Sequence, residues 1–339
     1  MTEIPIVQCF DHNYVLPAGV AFQSMLEYAK APETIYVLHV IGTGLTDADK
    51  DLLSGIVAKF PQAQLVFHNS PELDIPKYTG SGNLSQDVFY KMTPPLLFPE
   101  YKKVVVADLD VVYAGDIAEM YNGLSEEEDV YMLGVEDIGY AAMRGAGILK
   151  EYGAPRFFKR YYRQMSKEER SKLVLNTGFF CMNLELCRKN RLTERCIQFA
   201  KDNFDRLVLL DQDILNICCA PRIKKAPSRF MAFAEYEPVY RNLTPEQLYG
   251  NPSWEEMYAN PLMIHYTSGI KPWKYPQSAC SRLWFEACMR AGLFDEWRKW
   301  YANFMMPQTR TMTGKRLVNA AIPLGKGKTL HIQIHKERK

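Results

Sequence analysis

Asp108-Leu109-Asp110 follows the apolar run Lys102–Ala107 (KKVVVA). Two carboxylates at i and i+2, just past a strand, can both reach one metal ion where the chain turns. Hard divalent cations take oxygen ligands, and a metal shared with a diphosphate keeps coordination positions open. Further on, the apolar run Leu262–Tyr266 delivers His265 to its end, and a Gly-containing turn leads to Lys271 (HYTSGIKPW). A neutral imidazole completes a metal site opened by two carboxylates, and an ammonium six residues later offers a point charge to a phosphate. Asp211-Gln212-Asp213 opens a helical run (DQDILNICC), where acids also suit the helix dipole without any function. Asn176-Thr177-Gly178 precedes an apolar stretch and reads equally as a plain turn.

The elements that must position these groups alternate in type. Ile4–Phe10 reads as a strand, Val20–Tyr28 as a helix and Thr34–Ile41 as a second strand. Thr46–Phe60 reads as a helix with Thr46 as N-cap, Asp49 at the box position and Pro61 as its stop. Gln64–His68 is a third strand, Leu84–Leu97 a helix that bends at Pro94-Pro95, and Lys102–Ala107 a fourth strand. Such alternation predicts βαβ units, a mostly parallel sheet and ligands at the carboxyl ends of the strands. Polar residues cluster there, as Asp11-His12-Asn13-Tyr14 and Asp108-x-Asp110. Neither common glycine-rich nucleotide signature follows the first strand. Glu136–Lys172 is irregular and rich in Tyr, Arg and Lys (Arg156, Lys159, Arg160, Tyr161, Tyr162, Arg163). It reads as a solvated surface segment or as a wall of an acceptor pocket. Leu173–Leu184 is regular again, Thr193–Phe204 and Asp211–Cys219 read as helices, and Ser281–Ala291 and Phe294–Phe304 as closing helices with aromatic faces.

Composition excludes several classes. With 47% hydrophobic and 24% charged residues over 339 positions, the chain is neither collagenous nor wholly disordered. A net charge of +2 supplies no overall basic field for nucleic acid. No run approaches the roughly 20 apolar residues of a membrane span. The N-terminus shows no secretory signal, and eight cysteines without a CxxC pair suit a reducing, cytoplasmic setting without structural zinc. Residues 310–339 carry eight Lys/Arg and one Glu, a charge of +7 against −5 for the remainder. This basic tail is expected to be helical and amphipathic. It is either a solvated end or a peripheral contact to anionic lipid on the inner face of a membrane.

The order Asp11-x-Asn13-Tyr14, Tyr90-Lys91, Asp108-x-Asp110, Asn176-x-Gly178, Asp211-Gln212-Asp213 and His265 to Lys271-Pro272-Trp273 resembles glycosyltransferase family 8. That family includes bacterial lipopolysaccharide galactosyl- and glucosyltransferases, glycogenin and galactinol synthase; the compact DQDILN and KPW segments look closest to the lipopolysaccharide branch. The resemblance runs from about Ile4 to Trp273. It implies a GT-A fold, meaning a Rossmann-like sheet with flanking helices, and a UDP-sugar donor. It also implies Mn²⁺, with Mg²⁺ as the alternative, and retention of anomeric configuration. It assigns Asp108, Asp110 and His265 to the metal and Lys271 to the diphosphate. Asp11, Asn13 and Tyr14 fall to the uridine, with Tyr14 stacking on the base. Lys91 aligns with a basic residue, commonly Arg, that contacts the donor. Asn176, Asp211 and Gln212 fall to the transferred sugar, Gln212 near its anomeric carbon. His12 stands where an acid is often found, and Ser268 where the family's glycine usually stands, with Gly269 following.

The expected organisation is a catalytic domain over 1–273, closing helices over 274–309 and the basic tail over 310–339. The expected activity is transfer of glucose or galactose from a UDP-sugar to a saccharide of a cell-surface glycolipid or polysaccharide. Two alternatives stand beside it. A strand ending in D-x-D-x-V also resembles the haloacid dehalogenase phosphohydrolases, in which Asp108 is a nucleophile, although four strands come first here. The other is a sugar-nucleotide-binding protein without catalysis. Asp110, at an open strand end, is expected to be dispensable for folding.

Overall fold

Strand β1 (Thr2–Asp11) sits at the middle of a parallel set with β2 (Thr34–Thr43), β3 (Ala63–Asn69) and β4 (Lys103–Ala107). Strands covered on both faces read as continuous apolar runs. All five residues of β4 are accordingly buried, whereas the edge strand β3 is only partly so. In this computed structural model, residues 2–78, 85–144, 160–161, 163–234, 258–313, 320–323 and 329–332 are described. Among them, β5 (Val111–Tyr113), β6 (Met132–Glu136), β7 (Leu175–Asn183), β8 (Ile223–Lys225), β9 (Ala232–Phe233) and β10 (Met263–His265) follow in chain order.

The main sheet has seven strands in the order β3-β2-β1-β4-β7-β6-β8. It is mostly parallel, with β7 antiparallel to both β4 and β6. A second sheet, β5-β10-β9, has three short strands. The chain passes from β4 of the first sheet to β5 of the second within Asp108-Leu109-Asp110. That crossing places one aspartate against each sheet: Asp108 N–H donates to the Gly178 carbonyl on β7 at 2.8 Å, and Tyr266 N–H donates to the Asp110 carbonyl at 2.9 Å.

Helices cover the main sheet. Val15–Glu27 begins at Val15 rather than Val20, with Pro17 in its first turn, where an absent N–H breaks no intrahelical bond. Asp47–Val57 carries the expected capping box, Thr46 accepting from Asp49 N–H while the Asp49 carboxylate accepts from Thr46 N–H. The expected helix over Leu84–Leu97 is instead a 3₁₀ turn, Gln86–Met92, followed by the short helix Pro94–Leu97; Leu84 lies outside the described residues. Asp211–Cys219 and Ser281–Ala291 keep the boundaries read from the sequence.

Between β6 and β7 the described residues include the helices Ile138–Arg144 and Lys167–Lys172. Arg156, Lys159 and Tyr162 lie outside the described residues, whereas Tyr161 is fully buried rather than solvated. None of the eight cysteines forms a disulfide, and six are buried.

The described residues form two compact units, Met1–Leu293 and Phe294–Lys339. The second contains the helix Phe294–Thr313 and an antiparallel hairpin of β11 (Ala320–Pro323) and β12 (Thr329–Ile332). Among the described residues, the basic tail is helical to Thr313. Beyond it, two apolar segments flank Gly325-Lys326-Gly327, which is hairpin rather than helix chemistry. No helix among the described residues is long and apolar enough to cross a membrane.

Candidate active site

The crossing between the two sheets gathers the expected metal ligands. One ligand atom from each of Asp108, Asp110 and His265 lies within 4.8 Å of the others. His265 Nε2 is 3.1 Å from Asp110 Oδ1 and 3.8 Å from Asp108 Oδ2. The remaining oxygens are held by ammonium groups: Asp108 Oδ1 by Lys91 at 2.6 Å and Asp110 Oδ2 by Lys271 at 2.5 Å. Each carboxylate is therefore anchored through one oxygen and offers the other beside the imidazole. Two hard carboxylate oxygens and one imidazole nitrogen, open on the cleft side, fit Mn²⁺ or Mg²⁺.

Asp110 is buried, not open. Burial pushes its carboxyl up, but Lys271 and His265 outweigh this and hold it well below the usual carboxylate range. Lys271 is 2% exposed, and its ammonium also donates to the Tyr266 carbonyl at 2.5 Å.

Gly178 explains why Asn-x-Gly and the histidine occur together. A Cβ there would lie 2.7 Å from His265 Nδ1, closer still to Cε1, and 2.8 Å from Asn176 Oδ1. The imidazole packs on a surface that only glycine leaves free.

The rest of the cleft is built by β6, β7 and the helix Asp211–Cys219. Thr177 hydroxyl donates to Asp211 Oδ2 at 2.8 Å, and Thr177 N–H donates to Gln212 Oε1 at 3.1 Å. Asn176 donates through Nδ2 to Asp137 Oδ2 at 2.9 Å, and its Oδ1 accepts from Gly178 N–H at 2.8 Å. Gln212 Nε2 is buried beside Asp137 and Tyr140 without a hydrogen bond of good geometry. Burial pushes the carboxyls of Asp137 and Asp211 up, and Lys91 opposes this at Asp211. Carboxylates outnumber ammonium groups in this cleft, which leaves negative charge for a bound cation to neutralise.

At the end of β1, Asp11 caps the turn His12–Tyr14 by accepting from Asn13 N–H at 2.9 Å. Asp11 and Tyr14 line the cleft, while Asn13 is exposed and not part of its lining. Tyr14 meets the edge of Trp273 with ring centroids 5.9 Å apart. Burial, with Asp110 and Asp108 nearby, pushes the Tyr14 phenol up, so it stays neutral.

Two features escaped the sequence reasoning. Asp137 closes the apolar run MLGVE and lines the cleft, so the logic of acids at strand ends would have found it. Asp213 has no surface role at its helix terminus. It is fully buried and accepts from Val208 N–H, Leu209 N–H, Tyr140 hydroxyl and Tyr161 hydroxyl at 2.6–2.9 Å.

Known proteins share this architecture. The structure of the WbbM bifunctional glycosyltransferase superposes with a TM-score of 0.70 at 20% identity over 88% of this chain; the chain spans 51% of that protein's length. Galactosyltransferase LgtC, solved with donor and acceptor sugar analogues, gives 0.62 at 19% identity, covering 87% of this chain and 99% of LgtC. These GT-A neighbours establish the fold. In sequence, general stress protein A of Bacillus subtilis (strain 168) is 26% identical over 275 residues, which is 79% of this chain and 86% of that protein. The family model described as glycosyl transferase family 8 matches residues 5–277, a span that runs from β1 past Lys271 and so contains every residue of the cleft. The chain belongs to glycosyl transferase family 8, and glycosyl transfer is its role.

Proposed function

We propose that the protein is a divalent-metal-dependent, retaining hexosyltransferase. It moves glucose or galactose from a UDP-sugar to a saccharide acceptor carried by a cell-surface glycolipid or polysaccharide. The observation that carries this is the convergence of Asp108, Asp110 and His265 beside Lys271 at the carboxyl end of β4, within a chain of this family. LgtC, solved with donor and acceptor sugar analogues, lends support for a sugar donor and a saccharide acceptor.

Asp11, Asn13 and Tyr14 would hold the uridine, with the Tyr14 ring as a stacking platform. Asp108, Asp110 and His265 would hold Mn²⁺ or Mg²⁺, which when bound stabilises the charge that grows on the departing diphosphate. Lys271 would exchange its contact with Asp110 for the phosphate oxygens. Asn176, Asp211 and Gln212 would orient the sugar. Among the described residues, the carboxylates beside Gln212 are Asp211 and Asp137, and each is already engaged as a hydrogen-bond acceptor. A same-face displacement suits this. The bond from the anomeric carbon to phosphate oxygen breaks, the acceptor oxygen bonds to that carbon, and the acceptor proton passes to the leaving phosphate oxygen.

The phosphohydrolase alternative is set aside by the family to which the chain belongs. Docking of the tail on an anionic headgroup surface is a further part of the proposal. Its support is the +7 charge of residues 310–339 and the half-buried aromatic side chains Trp297, Trp300, Tyr301 and Phe304 on the preceding helix. Vesicle co-sedimentation of the full chain against one ending at Thr309 tests it. Equal sedimentation, or indifference to lipid charge, counts against the tail.

The functional test is a panel of UDP-sugars with Mn²⁺ or Mg²⁺, scored by UDP release with and without saccharide acceptors. Acceptor-stimulated release from UDP-glucose or UDP-galactose is expected. Tight UDP binding without turnover of any sugar nucleotide would favour a binding protein instead.

A further inference from the structure

Lys91 stands in the last turn of Gln86–Met92, lines the cleft and is 4% exposed. An ammonium has three N–H donors and no acceptor. Three protein acceptors surround this one: Asp108 Oδ1 at 2.6 Å, Asp211 Oδ2 at 3.2 Å and the Thr177 carbonyl at 3.1 Å. They come from the crossing after β4, the first residue of the helix Asp211–Cys219, and β7. The resemblance gives position 91 to a donor contact, commonly an arginine. Arginine has five N–H donors and could bridge protein groups while still reaching a ligand. Lysine has three, and here three protein acceptors lie within 3.2 Å of it.

The two carboxylates it joins face different parts of the cleft. Asp108 belongs to the metal cluster and presents Oδ2 toward His265, whereas Asp211 is buried beside Gln212 and Thr177. Removing one partner from a buried ion pair strands the remaining charge at a large cost. The ammonium therefore acts as a strut between metal side and sugar side. We infer that Lys91 is a positioning residue in this chain, one that fixes the spacing of Asp108 and Asp211 without touching the donor. The identity of the donor and sugar sides rests on the proposed function; the strut itself does not.

Two measurements test the strut. Lys91→Met keeps an unbranched stem, one atom shorter, and removes the charge. Thermal unfolding of the ligand-free chain should fall by about 5–10 °C. Adding Asp211→Asn should restore at least half of that loss, a coupling that exists without any donor. If Lys91→Met does not fold, recovery of folding in the double variant supports the strut and failure to recover overturns it. Lys91→Arg keeps the charge but changes the spacing. Its ligand-free stability should hold while kcat falls about tenfold or more, with the donor KM within about threefold. The inference is overturned if Lys91→Met unfolds like the unsubstituted chain, or if Asp211→Asn restores nothing. It is equally overturned if Lys91→Arg raises the donor KM with kcat intact, for then the side chain touches the donor. Absence of turnover with every sugar nucleotide would sink the functional proposal, while the stability cycle would still decide the strut.

Discussion

Gly178→Ala is the smallest substitution that reaches the candidate metal site. A methyl group at this position would lie 2.7 Å from His265 Nδ1 and 2.8 Å from Asn176 Oδ1. Non-bonded contacts settle near 3.5 Å and Cε1 lies closer than Nδ1, so the imidazole must retreat by more than roughly 0.8 Å. It has little room to do so. His265 is 3% exposed, its strand β10 is paired on both edges, and Nδ1 already sits 3.3 Å from Met231 Sδ. Retreat would loosen the 3.1 Å approach of Nε2 to Asp110. Overpacking of this kind costs about 1–3 kcal/mol of stability. A ligand displaced by that much should weaken Mn²⁺-dependent UDP binding at least about tenfold. Thermal unfolding reads the first effect and calorimetric titration of UDP in Mn²⁺ the second. A Gly178→Ala protein that unfolds and binds like the unsubstituted chain would refute the packing of His265 on Gly178.

Three further outcomes are expected. Asp110→Asn strands the buried Lys271 charge and should cost about 3–5 kcal/mol in metal-free unfolding, with at least half recovered on adding Lys271→Met; an unchanged transition would contradict the pairing. Tyr14→Ala should weaken UDP binding by about 1–3 kcal/mol, the scale of a lost base–aromatic stack, and equal affinity by calorimetry would assign the ring to the core instead. His39, buried against His68, has its pKa lowered from 6.5 to about 4 by burial and then by His68. The fold thus prefers the neutral ring. Its full stability is present above the unfolded value of about 6.5 and declines as pH falls toward 4, by about 3 kcal/mol in all. Urea unfolding should show a shallower loss over this window in His39→Gln, and parallel curves would rule out His39 as the source.

Much of the site was legible because its residues stand where strands end. Asp108-x-Asp110, His265 and Asp211-Gln212 each interrupt an apolar run, and the structure draws them into one cleft. The capping box at Thr46 and the helix Asp211–Cys219 were readable for a local reason: cap chemistry and periodicity lie within the segment itself. What escaped was non-local or too short. β5 and β9 have three and two residues, which is less than any periodicity needs. The antiparallel direction of β7 depends on its partners, since nine buried residues read alike in either direction. The burial of Asp110 follows from Lys271, a partner that sequence proximity does not announce.

The most direct test of a divalent-metal nucleotide site is calorimetric titration of UDP into the full chain, once with Mn²⁺ and once with a chelator. Saturable binding in Mn²⁺ is predicted, weakened at least about tenfold by the chelator, because the charge of two carboxylates must be neutralised before a diphosphate can enter. Equal UDP affinity in the two conditions, or no UDP binding in either, would contradict it.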